Sequence, residues 1–410
     1  MHDFTVRRSP QLSLAQAVLG WATLAFTLFI VIFHGGNEPA YWTLLALLIG
    51  PLFALQLGLG VVRGTPSHSA HILVPALLYL GALTWGMLQT IDVLPAPWAH
   101  PAWQLVPSET SLVSATPVAG QHTVMRLATY AMVFWIAMQA SINAERALAF
   151  LRTFALFSVA LAAFGLWAVL SGSNAVLDEQ ATANVSATFV NRNSYATYAA
   201  FGFVVNLGLY MHVVRERGGE NETTRQAARA LIERFFSGAW VFAFGAAICL
   251  SALLLTASRA GVVAGFVGLV TLLVAFRRGT GRGNAIWLSI IGILGAFAAP
   301  LSERVFSRVI ETGSELRFVI YREMIANLES RLFLGHGLGA FQDTFRPFVP
   351  LEAAAREWAR AHSSYLENLW ELGLPAATAF YVALAWVGAV LVKGVLLRRR
   401  KRIYSSIALA

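Results

Sequence analysis

The sequence predicts an all-α polytopic membrane bundle with a long helical segment on one face, and three observations carry that prediction. Of 410 residues, 57% are hydrophobic and only 12% charged, against about 25% charged in an ordinary soluble domain. Several segments run for about 18 or more residues with few or no charges, long enough for a helix to cross a hydrocarbon core of roughly 30 Å. None alternates polar and apolar residues as barrel strands do. Lipid offers backbone groups no partners, so each span must satisfy its own hydrogen bonds as helix.

The formal charge of +9 does not point to nucleic acid, because the basic residues stand at the ends of apolar runs, where they set topology. Cys249 is the single cysteine and lies inside an apolar run, so no intramolecular disulfide is expected. The first apolar run is too long for a signal-peptide core and lacks a small-residue cleavage site, so no cleaved leader is expected.

Taken in order, Arg7 and Arg8 precede a first span at roughly 14–33 and put the N-terminus on the cytoplasmic side. The turn HGGNEPAYW leads to spans at roughly 43–62 and 71–90, joined through Arg63, and residues 91–122 form an outer Pro- and Trp-rich loop without Lys or Arg. Spans four and five, roughly 123–140 and 148–170, enclose Arg146, with Arg152 at the start of the fifth. The chain returns outside through Asp178 and Glu179, and a sixth span covers roughly 194–213. Arg215, Arg217, Arg225, Arg229 and Arg234 mark the clearest cytoplasmic loop.

Spans seven and eight, roughly 237–257 and 260–276, form a hairpin with Ser258 and Arg259 at its outer tip, and RRGTGRG brings the chain back inside. Span nine, roughly 285–303, delivers the outer segment 304–363, and span ten runs from about Tyr365 to Val392 before the cluster Arg398–Arg402. The closing IYSSIALA reads as the first turn of an eleventh span cut short. The expected division is therefore 1–303 for the nine-span bundle, 304–363 for the periplasmic helical loop, and 364–410 for span ten and the basic end. Arg126, Arg192 and Arg259 are the only basic residues in or beside the short outer connections, where topology disfavours them.

Polar chemistry concentrates between Arg317 and Pro375. A helix over 315–330 puts Arg317 and Tyr321 on one face, four residues apart, and Arg322 on another. Gly335, Gly337 and Gly339 punctuate a turn, but no strand precedes it and no βαβ unit exists, so it does not read as a nucleotide loop. Residues 351–361 read as a short amphipathic surface helix. Ser364 and Glu367 fit a capping box at the start of span ten, which gives Glu367 a structural role. His362 then sits just outside a helix N-terminus, where the dipole favours neutral imidazole; a proton acceptor and a structural interfacial histidine are both open at this point.

Ser258 fits as the N-cap of span eight, with Gly261 and Gly265 allowing close helix packing. An arginine near membrane depth is costly unless it pairs or meets an anion, so Arg259 and Arg192, the latter flanked by Asn191 and Asn193, read as anion-binding, with snorkelling to lipid phosphate as the plain alternative. Arg126 lacks such neighbours and reads as an interfacial anchor. Several outer arginines and one histidine with few acids suit no metal, but they suit a phosphate dianion bound by guanidinium forks.

Four stretches, FVNRNSYATY at 189–198, LTASRAG at 255–261, the pair RFVIYREM and GHGLGAF, and HSSYLENLWELGLP at 362–375, resemble the O-antigen ligase and polysaccharide polymerase superfamily of bacterial inner-membrane glycosyltransferases. The resemblance covers roughly residues 185–380 and implies transfer of a glycan from an undecaprenyl-pyrophosphate carrier to an acceptor hydroxyl at the periplasmic face, without metal, nucleotide or other cofactor. It assigns Arg259 and Arg317 to the pyrophosphate and His362 to the base. Arg192, Asn193, Tyr321, Arg322 and Tyr365 are expected to complete the substrate-binding set.

Expected partners are the lipid-linked donor, a glycan or lipid A core acceptor and the bilayer. A polymerase of repeat units and a transferase to protein hydroxyls share the donor chemistry. A lipid-linked glycan transporter would need ionisable residues at mid-membrane and broken helices in corresponding halves, whereas the polar weight here lies on one face.

Overall fold

The computed structural model describes residues 10–63, 70–105, 111–173, 184–216, 238–277 and 315–397. Among them every regular element is a helix. The long helices are α1 (Pro10–Ile32), α2 (Pro39–Arg63), α3 (Ala70–Leu88), α4 (Pro117–Ala140), α5 (Ala144–Leu170), α6 (Arg192–Glu216), α7 (Trp240–Leu255) and α8 (Arg259–Arg277). After them come α9 (Glu315–Asn327), the short α10 (Phe341–Phe345) and α11 (Ser364–Leu397).

Among the described residues, five helical segments are long and apolar enough to cross a membrane: Ser13–Ile32, Pro39–Val61, Ala144–Leu170, Arg192–Val214 and Ser364–Gly394. Ile72–Leu88, Trp240–Leu255 and Arg259–Ala275 are apolar but shorter. Helix α4 covers the expected fourth span, but Arg126, His122, Gln121 and Gln139 dilute its apolar character. The expected ninth span, the arginines at 7–8, 217–234 and 398–402, Asp178 and Glu179, most of RRGTGRG, and the closing IYSSIALA lie outside the described residues.

The chain divides into two compact units, one of residues 1–45, 136–311 and 391–410 and the other of 46–135 and 312–390. In the first, α6 is the centre: Tyr195, Ala196, Ala199, Phe203, Leu207 and Tyr210 are buried and pack with small residues of α5 and α7, including Ala155, Ala162, Ala243, Ala246 and Ala252. Apolar burial gives little preference between helix and lipid, so close backbone approach through small residues holds such helices together. A Cβ on Gly245 would lie 2.5 Å from the Asn206 amide oxygen, and one on Gly265 would lie 2.9 Å from Leu253. A Cβ on Gly261 would collide with Ala196, which places the first turns of α6 and α8 side by side.

The second unit is organised by a break in α11. Pro375 has no N–H and its ring displaces the carbonyl four residues back, and Gly373 takes a backbone (φ 74°, ψ 166°) outside the helical region. Span ten is therefore two helical runs meeting at Gly373, where the sequence reads a single uninterrupted span. The carbonyls released at the break must find other donors. Trp370 accepts the His336 N–H at 2.9 Å and Glu371 accepts the Gly337 N–H at 2.9 Å. The Gln89 amide also reaches the Glu371 carbonyl at 3.1 Å, the Trp85 indole reaches Leu372 at 2.9 Å, and the Leu374 N–H turns to Leu332 at 2.7 Å.

GHGLGAF is the strip of backbone that meets this break. Gly335, Gly337 and Gly339 all have positive φ (72°, 105° and 73°), and a side chain at Gly335 would collide with the Glu371 carbonyl. The periodic glycines thus turn successive N–H groups toward 370–371, a nest of the kind that holds anions. Here the chain supplies its own carboxylate, since Glu371 Oε1 accepts the Phe341 N–H at 3.1 Å.

Residues 351–361 differ from the amphipathic helix expected. Only Leu351–Ala353 form a 3₁₀ turn, because Trp358 folds inward, buried with Phe345 and Trp370, and its indole donates to the Ala353 carbonyl at 3.0 Å. Arg331 fastens the loops around the glycine turn: its guanidinium donates to Gly335, Ala99, Trp98 and Val113 carbonyls at 3.0–3.1 Å. Replacing Arg331 with Ala strands those acceptors and should cost on the order of 3 kcal/mol of stability. Arg331→Lys should recover only part, since an ammonium cannot span the fork. Thermal unfolding of the full chain in detergent measures both, and an unshifted Arg331→Ala transition would show that the staple carries no load.

Candidate functional site

The second unit contains a cavity of about 320 Å³ beside the first turns of α11. Its polar lining is Thr123, Arg126, Arg360, His362, Ser363, Ser364, Glu367, Asn368 and Glu371, and its apolar lining is Leu127, Leu338, Leu372 and Phe380. Of the residues proposed for chemistry from sequence, His362 lines it directly. Arg126, read there as an interfacial anchor, is on its wall.

His362 is held from three sides. Its backbone is left-handed (φ 57°), an uncommon and costly state for a non-glycine residue that must be stabilised by its surroundings. Tyr321 donates its hydroxyl to the His362 carbonyl at 2.9 Å. Glu367 accepts the Ala361 N–H and the Arg360 guanidinium, both at 2.9 Å. Trp358 meets the His362 ring edge-on at 6.0 Å, and the imidazole remains exposed at the cavity mouth.

The cap of α11 is one residue earlier than the sequence suggests. The Ser363 carbonyl accepts the Glu367 N–H at 2.9 Å, and its hydroxyl oxygen faces the Leu366 N–H at 3.5 Å, so Ser363 is the cap and Glu367 falls outside a Ser364 capping box. Glu367 instead bonds backward to 360–361 and fixes the turn that carries His362.

Arg317 and Tyr321 share a face of α9, as their spacing requires, and both act on His362. Burial pushes the His362 pKa below its ordinary value, the Arg317 charge pushes it further, and Glu367 partly offsets both. Neutral imidazole is therefore favoured by burial first and by a neighbouring cation second. Arg322 is on another face, exposed and paired with Glu323 at 3.5 Å. Tyr365 is 72% exposed, its ring 4.9 Å from Tyr381. Neither is among the residues lining the cavity.

Arg192, Asn193 and Arg259 belong to the first unit. Arg192 and Arg259 are the first residues of α6 and α8, whose N-termini are adjacent through the Gly261–Ala196 contact. Ser258 caps α8, its hydroxyl accepting the Gly261 N–H at 3.3 Å. Asn191 opens α6 by accepting the Asn193 N–H on its side chain at 2.8 Å. Two helix N-termini with their partial positive charge, each carrying an arginine, make an electropositive end suited to an anion.

Sequence reasoning missed Arg126, Arg360, Asn368 and Glu371 as cavity residues. Glu371 had one signal, a carboxylate inside an apolar span. Arg126 had one too, as a basic residue beside a short outer connection, and Arg360 and Asn368 are two and six residues from His362 in the chain; that Arg126 joins them depends on how distant segments pack. Among the described residues no group of three or more metal-ligating side chains occurs.

A second polar cluster supports the glycine turn. The His100 Nδ1 accepts the Ala102 N–H at 3.1 Å, so its proton is on Nε2, which faces the His336 Nδ1 at 2.9 Å. His336 stacks on Trp370 with ring centroids 4.2 Å apart.

Residues 244–381 match the family described as O-Antigen ligase. The match takes in about a third of the chain, including LTASRAG, RFVIYREM, GHGLGAF and the His362 segment, and agrees with the superfamily that the motifs resemble. The match points to a glycosyltransferase-type enzyme, and the apolar helices point to a membrane protein. No curated protein and no solved structure matches the chain.

Burial and Arg331 lower the pKa of His100 to about 4, and burial, His100 and Arg331 lower that of His336 to about 3. The unfolded chain, with ordinary values near 6.5, takes up these protons first. Their contribution to stability is therefore full above about pH 6.5 and is lost as pH falls toward 4 and 3. The unfolding temperature should drop between pH 7 and pH 5, and the drop should shrink in His336→Gln. Parallel curves for the two proteins would rule out the histidine pair as its source.

Proposed function

We propose that the protein transfers a glycan from an undecaprenyl-pyrophosphate carrier to an acceptor hydroxyl at the periplasmic face of the bacterial inner membrane, as an O-antigen ligase does in building lipopolysaccharide or surface polysaccharide. The observation that carries this reading is the clamped, neutral His362 at the mouth of a polar cavity, beside Arg317 and within the family match. The ten-span topology with a cytoplasmic N-terminus is part of the proposal, supported by the distribution of basic residues.

Neutral His362 accepts the proton of the acceptor hydroxyl as its oxygen attacks the anomeric carbon. The bond from that carbon to the pyrophosphate oxygen breaks, the new glycosidic bond forms, and undecaprenyl pyrophosphate leaves with the electron pair. One displacement inverts the anomeric configuration. Arg259 and Arg317 offset the charge on the departing pyrophosphate. Arg192 and Asn193 bind the donor at the opening of α6, while Tyr321 orients His362 through its carbonyl; Arg322 and Tyr365, outside the cavity, are left without a step. No step calls for a metal or cofactor.

His362→Ala should lower transfer by about 10²-fold or more while donor binding is kept; full activity would remove the base assignment. The acid limb of the rate profile should fall at a pH below that of an ordinary histidine, because protonated His362 cannot act as base. Arg259→Ala and Arg317→Ala should each reduce donor affinity or turnover by tenfold or more, and unchanged kinetics in both would dismiss the pyrophosphate clamp. Reconstitution with the lipid-linked donor and, in turn, lipid A core, a second lipid-linked glycan and a hydroxyl-bearing protein tests the acceptor. Product only with the second glycan would make the protein a polymerase, and product only with protein would make it a protein glycosyltransferase.

A further inference from the structure

We infer that the cavity beside α11 is a subsite for a single sugar residue, in which the Glu371 carboxylate accepts a hydrogen bond from one of its hydroxyls. The inference rests on the glycosyl-transfer reading for why a sugar arrives there. The chemistry of the cavity carries the rest.

A carboxylate in an apolar helix is expensive and calls for a specific partner. Glu371 is 3% exposed, and its Oε1 accepts the Phe341 N–H. The Gly339 and Phe341 N–H groups both bond to the Glu371 carboxyl, which takes up two of the roughly four lone-pair sites of its oxygens and leaves acceptor capacity for a ligand. Of the two arginines that line the cavity, Arg126 and Arg360, Arg360 is engaged by Glu367 at 2.9 Å. Glu371 nevertheless lines the cavity together with Asn368 and Thr123.

The volume and walls match one ring. At about 320 Å³ the cavity is at the small end of ligand pockets, which run roughly 300–1,000 Å³. One wall is apolar, with Phe380 and Leu372 among its residues, and the other offers amide, hydroxyl and carboxylate. A pyranose has the same division, C–H groups on its faces and hydroxyls around its rim. The Asn368 amide donates to the Tyr381 hydroxyl at 2.7 Å, and Tyr381 in turn donates to the Ser364 carbonyl at 2.9 Å, so the Asn368 side chain is held in place before a sugar binds.

The test is binding of methyl hexopyranosides to the full chain in detergent, read by saturation-transfer NMR, in wild type, Glu371→Gln and Asn368→Ala. Wild type should bind in the millimolar range. Glu371→Gln should bind about tenfold more weakly. Wild type that binds no hexoside, or Glu371→Gln that binds as wild type does, overturns the subsite. Should Glu371→Gln fail to fold, Asn368→Ala decides: weaker binding supports the subsite and equal binding overturns it. In the transfer assay, a raised KM for the donor alone or the acceptor alone identifies whose sugar occupies the cavity. Hexoside binding lost in Glu371→Gln, with no transfer to any acceptor by wild type, would retain the subsite and refute the transferase reading.

Discussion

The break of α11 at Gly373 and Pro375 is the constraint on which the second unit depends. A proline inside an apolar helix releases backbone carbonyls where lipid cannot satisfy them, and the protein answers with the N–H groups of a glycine turn. That turn can present its donors only because Gly335, Gly337 and Gly339 accept positive φ. A resemblance to a phosphate-binding loop is therefore physically grounded but misleading, since the nest closes on Glu371 of the same chain.

The candidate site follows from that arrangement. With the first turns of α11 separated from the remainder of the helix, Ser363 to Leu372 form a short helical platform, with His362 at its N-terminal end and Glu371 near its C-terminal end. Both ends line one cavity. His362 is fixed by contacts to its backbone carbonyl and to neighbouring residues rather than to its ring, so the imidazole is positioned yet remains exposed to meet a substrate. Glu367 serves as the brace of that turn, a different structural role from the capping box its spacing suggests.

The apolar helices were legible because hydrophobicity along a helix is a local property that lipid enforces segment by segment. The pairing of Arg317 with Tyr321 was legible for the same reason, since a spacing of four residues fixes a common helix face. Residues 351–361 misled because their pattern suits an amphipathic helix, while burial of Trp358 in a core with Phe345 and Trp370 outweighs the modest preference of a short helix. Arg126 misled because, apart from Thr123, the polar residues that share its cavity are more than two hundred positions away.

The sequence by itself determined that the protein is helical with apolar segments of membrane-spanning length, that its polar residues gather in a few segments, and which superfamily its motifs resemble. These follow from composition, short-range spacing and charge placement. Only the tertiary structure decided that α11 is broken, that GHGLGAF serves the break, that His100 meets His336 across 236 positions, and that Glu371 and Arg126 share a cavity with His362. Each of these depends on where released backbone groups and buried side chains find partners, and that is settled by packing between segments remote in the chain.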